Sequence, residues 1–130
     1  MSREASMNRC IVSAFLLFSL GACTQPTSPI LGVVSARGIG QNVEITNHTF
    51  APVYTFVIDR GAAAYTDWGP CTDPTLCAAT APQSGSVLPY SQIVGYTLTS
   101  REVIVYWWHL VPDGASGFRA DSTRAIIIGL

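Results

Sequence analysis

From residue 30 onward the chain alternates short apolar runs with clusters of Gly, Pro, Asn and Asp. Runs of about four to eight residues, rich in β-branched and aromatic side chains and bounded by turn formers, read as strands. Ile30 to Ala36 is the first, and Arg37-Gly38-Ile39-Gly40 is expected to turn the chain. Gln41 to Thr46 alternates, which places Val43 and Ile45 on one face and Glu44 and Thr46 on the other. Asn47-His48-Thr49 makes the next turn, and Pro52 opens Val53 to Asp59, where Tyr54, Phe56 and Ile58 share a face. Ala62 to Trp68 reads as a weaker strand, Thr80 to Gly85 as a loop, and Ser86 to Tyr90 and Gln92 to Thr97 as strands. In Glu102 to Leu110, Val103, Val105 and Trp107 alternate with Ile104, Tyr106 and Trp108. Both faces are apolar, so this strand is expected at the centre of its sheet with cover on both sides. Val111 to Gly117, which holds Pro112-Asp113-Gly114, reads as a loop, and Thr123 to Leu130 as a closing buried strand.

No stretch sustains a helical period. Seven or eight short strands at this spacing predict an all-β immunoglobulin- or fibronectin-like sandwich over residues 30–130, with a small barrel as the alternative. The antibody-type Cys–Trp–Cys arrangement is absent, because Cys71 and Cys77 stand too close together.

The N-terminus follows a different pattern. Arg9 precedes the apolar run from Ile11 to Leu20, which ends in Gly21-Ala22-Cys23. A bilayer-spanning helix needs roughly 20 apolar residues, and this run is shorter. It has the length of a secretory signal core, and small residues stand before the expected cut. Translation from Met7 would give a cleaner positively charged start than Met1, whose segment contains Glu4. Leu20-Gly21-Ala22-Cys23 resembles the lipobox of bacterial lipoproteins. In that family the Cys thiol is diacylated and the peptide is cut before it. The resemblance therefore implies a signal peptide over 1–22, a lipid on Cys23 and a membrane-anchored protein of the cell envelope. Residues 24–29, Thr-Gln-Pro-Thr-Ser-Pro, carry no charge and no core, and read as an extended tether. Thr24, rather than Asp, after the lipid-bearing Cys implies the outer membrane where the host is diderm. The Asn47-x-Thr49, Pro52-Val53-Tyr54, Trp68-Gly69-Pro70-Cys71 and Tyr106-Trp107-Trp108 segments are similar to a pattern in small uncharacterised envelope lipoproteins, which implies no known activity.

With Cys10 in the signal and Cys23 lipidated, Cys71 and Cys77 remain. In an oxidising compartment an even remainder reads as a disulfide. The alternative, a redox or metal pair, is weaker because redox centres favour two intervening residues.

Composition narrows the chemistry. The 130 residues suit one domain, and 48% apolar with 12% charged excludes a disordered chain. All seven basic residues are Arg, and the net charge of −1 provides no basic field for a nucleic-acid backbone. His48 and His109 are the only histidines, and both methionines lie near the N-terminus, so no metal or cofactor set is expected. Ser84, Ser86, Ser91, Ser116 and Ser122 sit in no Gly-x-Ser-x-Gly elbow. The aspartates Asp59, Asp67, Asp73, Asp113 and Asp121 mostly fall where turns want them. The chain is therefore expected to be a non-catalytic binding or interaction module whose partner is an envelope protein or a glycan. Trp68, Trp108 and the disulfide loop are the candidate contacts, since an exposed Trp stacks on sugars or anchors protein partners. A carbohydrate- or peptidoglycan-binding domain is the first alternative. A hydrolase is the second, and it requires His48 or His109 in a pocket beside a Ser or Asp.

Overall fold

The computed structural model describes residues 32–130, and the signal, Cys23 and tether expectations lie outside them. Among the described residues nine strands form. They are β1 (Val34–Ile39), β2 (Asn42–Asn47), β3 (Val53–Asp59), β4 (Ala79–Thr80), β5 (Ser84–Pro89), β6 (Glu102–Trp108), β7 (Leu110–Asp113), β8 (Gly117–Ala120) and β9 (Arg124–Gly129). One sheet has the order β1-β2-β5, the second β4-β3-β6-β9, and β7-β8 form a separate hairpin. All the ladders are antiparallel. Lettered as immunoglobulin-like sandwiches are, this is A-B-E facing C′-C-F-G, so the molecule is an all-β sandwich with fibronectin-like connectivity.

One cluster fills the space between the sheets. Val34, Val43 and Ile45 enter it from the first sheet. Val53, Val57, Val103, Val105, Trp107 and Ile128 enter from the second, and Tyr90 and Ile93 close the lower end. The alternation in β2 and β6 dictates this, because every second side chain meets the core. Central β6 pairs with β3 and β9, and the residues between its core positions form a second apolar surface on the outside of the sheet.

Several boundaries differ from the sequence reading, each for a local reason. Arg37-Gly38-Ile39 continues β1 instead of turning, and a Cβ on Gly38 would stand 2.8 Å from the Tyr90 hydroxyl and 2.9 Å from the Gly129 carbonyl oxygen. Glycine is there to let β1 approach β9, not to bend the chain. Ala62 to Trp68 is not a strand: a 3-10 turn forms at Ala63–Tyr65, with the Ala62 N–H held by the Asp59 carboxylate at 3.0 Å. Gln92 to Thr97 is also not a strand; a 3-10 turn at Tyr90–Gln92 precedes a single bridge between Val94 and Ile58. The segment read as a loop at Thr80 to Gly85 contributes the last residue of β4 and the first two of β5. Val111 to Gly117 contains β7 and the hairpin turn, and Pro112 is tolerated because this two-stranded ribbon has free edges.

Candidate functional site

The outer face of the second sheet carries the aromatic residues that the sequence singles out. Tyr54, Phe56 and Ile58 of β3 stand opposite Trp108, Tyr106 and Ile104 of β6. Between β3 and β4 the chain crosses this face and lays Trp68 on it. Trp68 stacks on Phe56 with ring centroids 4.5 Å apart, and lies 4.6 Å from Tyr106 and 6.1 Å from Trp108. The disulfide loop then covers Trp108, whose indole N–H donates to the Cys71 carbonyl at 3.0 Å. Cys71 and Cys77 are joined, with Cα atoms 6.1 Å apart.

This packing corrects one expectation. Trp108 is 2% exposed, so it is a wall and not a contact platform. The strand is apolar on both faces, as expected, and both indoles are buried: Trp107 in the core and Trp108 under the loop. Trp68 is half-buried, with one face taken up by Phe56.

Beside this cluster a slot of about 410 Å³ opens where β4 and β5 meet at the edge of the sandwich. Ile45, Val57 and Leu88 line its inner end, Tyr54 and Trp108 one wall, and Cys71, Cys77 and Ala78 its roof. Thr80 and Ser86 supply the polar groups, with their hydroxyl oxygens 2.8 Å apart. No charged residue lines it. β5 is the end strand of its sheet, and two-residue β4 pairs with β3 instead, so β5 presents an unpaired backbone edge beside the slot. Val87, on that edge, is exposed. The sequence pointed to the disulfide loop and Trp108, which bound the slot. It did not reveal Leu88, Ile45 or the β5 edge, because the slot depends on how the two sheets meet.

The other candidates are held in loops. The buried Asn47 amide donates to the carbonyls of Ala51, Thr80 and Ala81 at 2.8, 3.0 and 3.2 Å. Its oxygen accepts from the Thr49 N–H and hydroxyl at 2.8 and 2.6 Å. The Asn47-His48-Thr49 turn is thus a clamp that ties β2 to the approach to β3 and to the end of β4. His48 Nε2 lies 3.1 Å from the Ser35 hydroxyl, a pairing that spacing in the sequence could not suggest. This pair is exposed, and among the described residues no hydrogen bond links His48 to a carboxylate. His109 lies 3.0 Å from the Pro52 carbonyl through Nδ1 and sits edge-on to Trp107. Among the described residues no group of three or more His, Cys, Asp or Glu is placed to hold a metal ion.

Two carboxylates are perturbed. At Asp121 burial works against the charge. The N–H groups of Ser122 and His109, at 2.7 and 3.0 Å, and nearby Arg124 outweigh it and hold the carboxyl below its ordinary value. At Asp73 the hydroxyl and then the N–H of Thr75 lower the carboxyl within the disulfide loop. Both fix turns.

Compared with protein families, curated proteins and solved structures, the chain matches none.

Proposed function

We propose that this protein is a lipid-anchored module of a bacterial cell envelope, without catalytic activity, whose sandwich binds an extended segment of a partner protein along β5. The observation that carries the reading is the uncharged slot lying against the unpaired β5 edge. An edge strand offers N–H and C=O groups to an added strand, and adjacent pockets select its alternate side chains. Here the slot would accept an aliphatic or aromatic side chain, and the Thr80 and Ser86 hydroxyls would orient the backbone beside it. The anchor rests on Leu20-Gly21-Ala22-Cys23, and acyl chains on Cys23 would hold the module at a membrane, the outer one in a diderm host.

The test places a photo-crosslinking amino acid at Val87 in protein expressed in its native envelope, with the same group at exposed Thr99 as control. We expect one discrete adduct from position 87 alone, and we expect Leu88→Arg to abolish it by placing a charge in the slot. If position 87 gives no adduct, or both positions give the same one, β5 is not the binding edge. Fractionation of Cys23→Ser tests the anchor separately, with release from membranes as the expected result.

A further inference from the structure

We infer that the pole of the domain where the described chain begins rests on the bilayer, with Phe50, Leu76 and Phe118 in contact with the lipid headgroup region. The inference rests on the anchor reading above and adds an orientation and a contact surface to it.

The chain enters the fold beside the β2–β3 loop. The Gly32 N–H donates to the His48 carbonyl, and the His48 N–H to that of Val33, both at 3.0 Å. From Cys23 to Gly32 a fully extended chain spans at most about 30 Å, so an acylated Cys23 holds this pole close to the membrane. Phe50, in the β2–β3 loop, is 80% exposed. The same loop touches the base of the β7–β8 hairpin through Pro52 and His109. Phe118, on β8, is 45% exposed and lines a hollow shared with the disulfide loop. In that loop Leu76 is 81% exposed. Two loops and the β7–β8 hairpin thus present large apolar side chains at the pole where the tether joins.

Exposed apolar groups rimmed by polar residues mark contact surfaces, and membrane attachment grows with the apolar area inserted. Asp73, Asp113 and Asp121 outnumber Arg119 and Arg124 at the same pole, so charge gives the surface no net attraction to anionic lipid and the contact is apolar. Tyr65 and Leu98 are also exposed, but they follow β3 and the Tyr90–Gln92 turn at the opposite pole, where they face away from the membrane.

The test uses the mature protein, residues 23–130 acylated at Cys23, with its mass verified, in vesicles of phosphatidylethanolamine and phosphatidylglycerol containing a lipid with a headgroup nitroxide. Backbone amide signals are followed by NMR. We expect residues 49–51, 75–77 and 116–118 to lose most of their intensity, and residues 64–66 and 97–99 to keep theirs. Phe50→Ser with Leu76→Ser and Phe118→Ser should restore the signals while the protein remains bound through its lipid. Tyr65→Ser with Leu98→Ser should change nothing, and raising the phosphatidylglycerol content should not strengthen the effect. Acylated, bound protein with no loss at these loops, or with loss centred on Tyr65 and Leu98, overturns the orientation and leaves the anchor standing. Protein without acyl chains, or Cys23→Ser that stays with membranes, overturns both. Loss that appears without the nitroxide and grows with protein concentration assigns the surface to a second copy of the chain instead.

Discussion

At the scale of single residues, one buried polar side chain ties three stretches of the fold together. Asn47 is fully buried, and its amide satisfies three carbonyls from two segments, one just before β3 and one at the end of β4. Asn47→Asp keeps the shape but removes those donors and buries a charge, and each unpaired buried acceptor costs about 1–3 kcal/mol. The variant is expected to lose at least about 3 kcal/mol in urea denaturation. A loss below about 1 kcal/mol would show that water replaces the amide. Asp121 gives the pH response. Its carboxyl titrates below 3.8 in the folded chain, so its stabilisation is complete above that value and disappears as the pH falls through the folded pKa. The gap in stability between wild type and Asp121→Asn should therefore be widest near neutrality and narrow as the pH falls below 3.8. A gap that stays constant from neutral to acid pH would assign the effect to packing. The sequence marked both positions as turn residues. That Asn47 joins distant segments was hidden, because its carbonyl partners at Thr80 and Ala81 lie far along the chain.

At the scale of elements, alternation was readable wherever a strand has one face in the core. β3 has the expected ends at Val53 and Asp59, and β2 and β9 fall within a residue of theirs, because the core rewards every second side chain. Two of the errors arise where apolar residues cover a sheet or close the core without forming a ladder. Ala62 to Trp68 has strand-like composition, yet Trp68 serves by stacking on Phe56, which needs no ladder. Gln92 to Thr97 behaves likewise: Ile93 and Tyr96 plug the lower end of the core from a loop. Gly95 allows the approach, since its φ is +73° and a Cβ there would lie 2.5 Å from that of Ala62. The β3–β4 crossing is therefore held by side chains and by the disulfide. Chain-entropy reasoning gives so short a closed loop roughly 2 kcal/mol. Cys71→Ser with Cys77→Ser should lower stability by about that amount and speed amide exchange over residues 69–80 before that of β6. It should also shift Trp108 emission toward longer wavelength, because the loop that covers the indole is released. If stability falls but the emission does not move, the stacked aromatics hold the cover without the disulfide.

At the scale of the whole molecule, cohesion comes from apolar contact and hardly from charge. Among the described residues the three ion pairs, Arg37–Glu44, Arg60–Glu102 and Arg124–Asp121, are all partly exposed. Pairs of this kind contribute about 0–1 kcal/mol each and are weakened further by salt. Against them stands one core cluster that draws residues from both sheets, so neither sheet can keep its inner face covered without the other. Two consequences follow. Unfolding of the domain should be a single transition seen identically by far-ultraviolet circular dichroism and by tryptophan emission. Its free energy should change by less than about 1 kcal/mol between dilute and half-molar sodium chloride, because there is little screened attraction to lose. The β7–β8 hairpin is the exception: it forms its own ribbon and contributes nothing to the buried core cluster. Its amides should exchange well before those of β3 and β6, through openings that leave the global transition untouched. Two resolved transitions would mean that the sheets do not depend on a shared core, and a salt dependence of several kcal/mol would mean that charge, not apolar contact, supplies the cohesion.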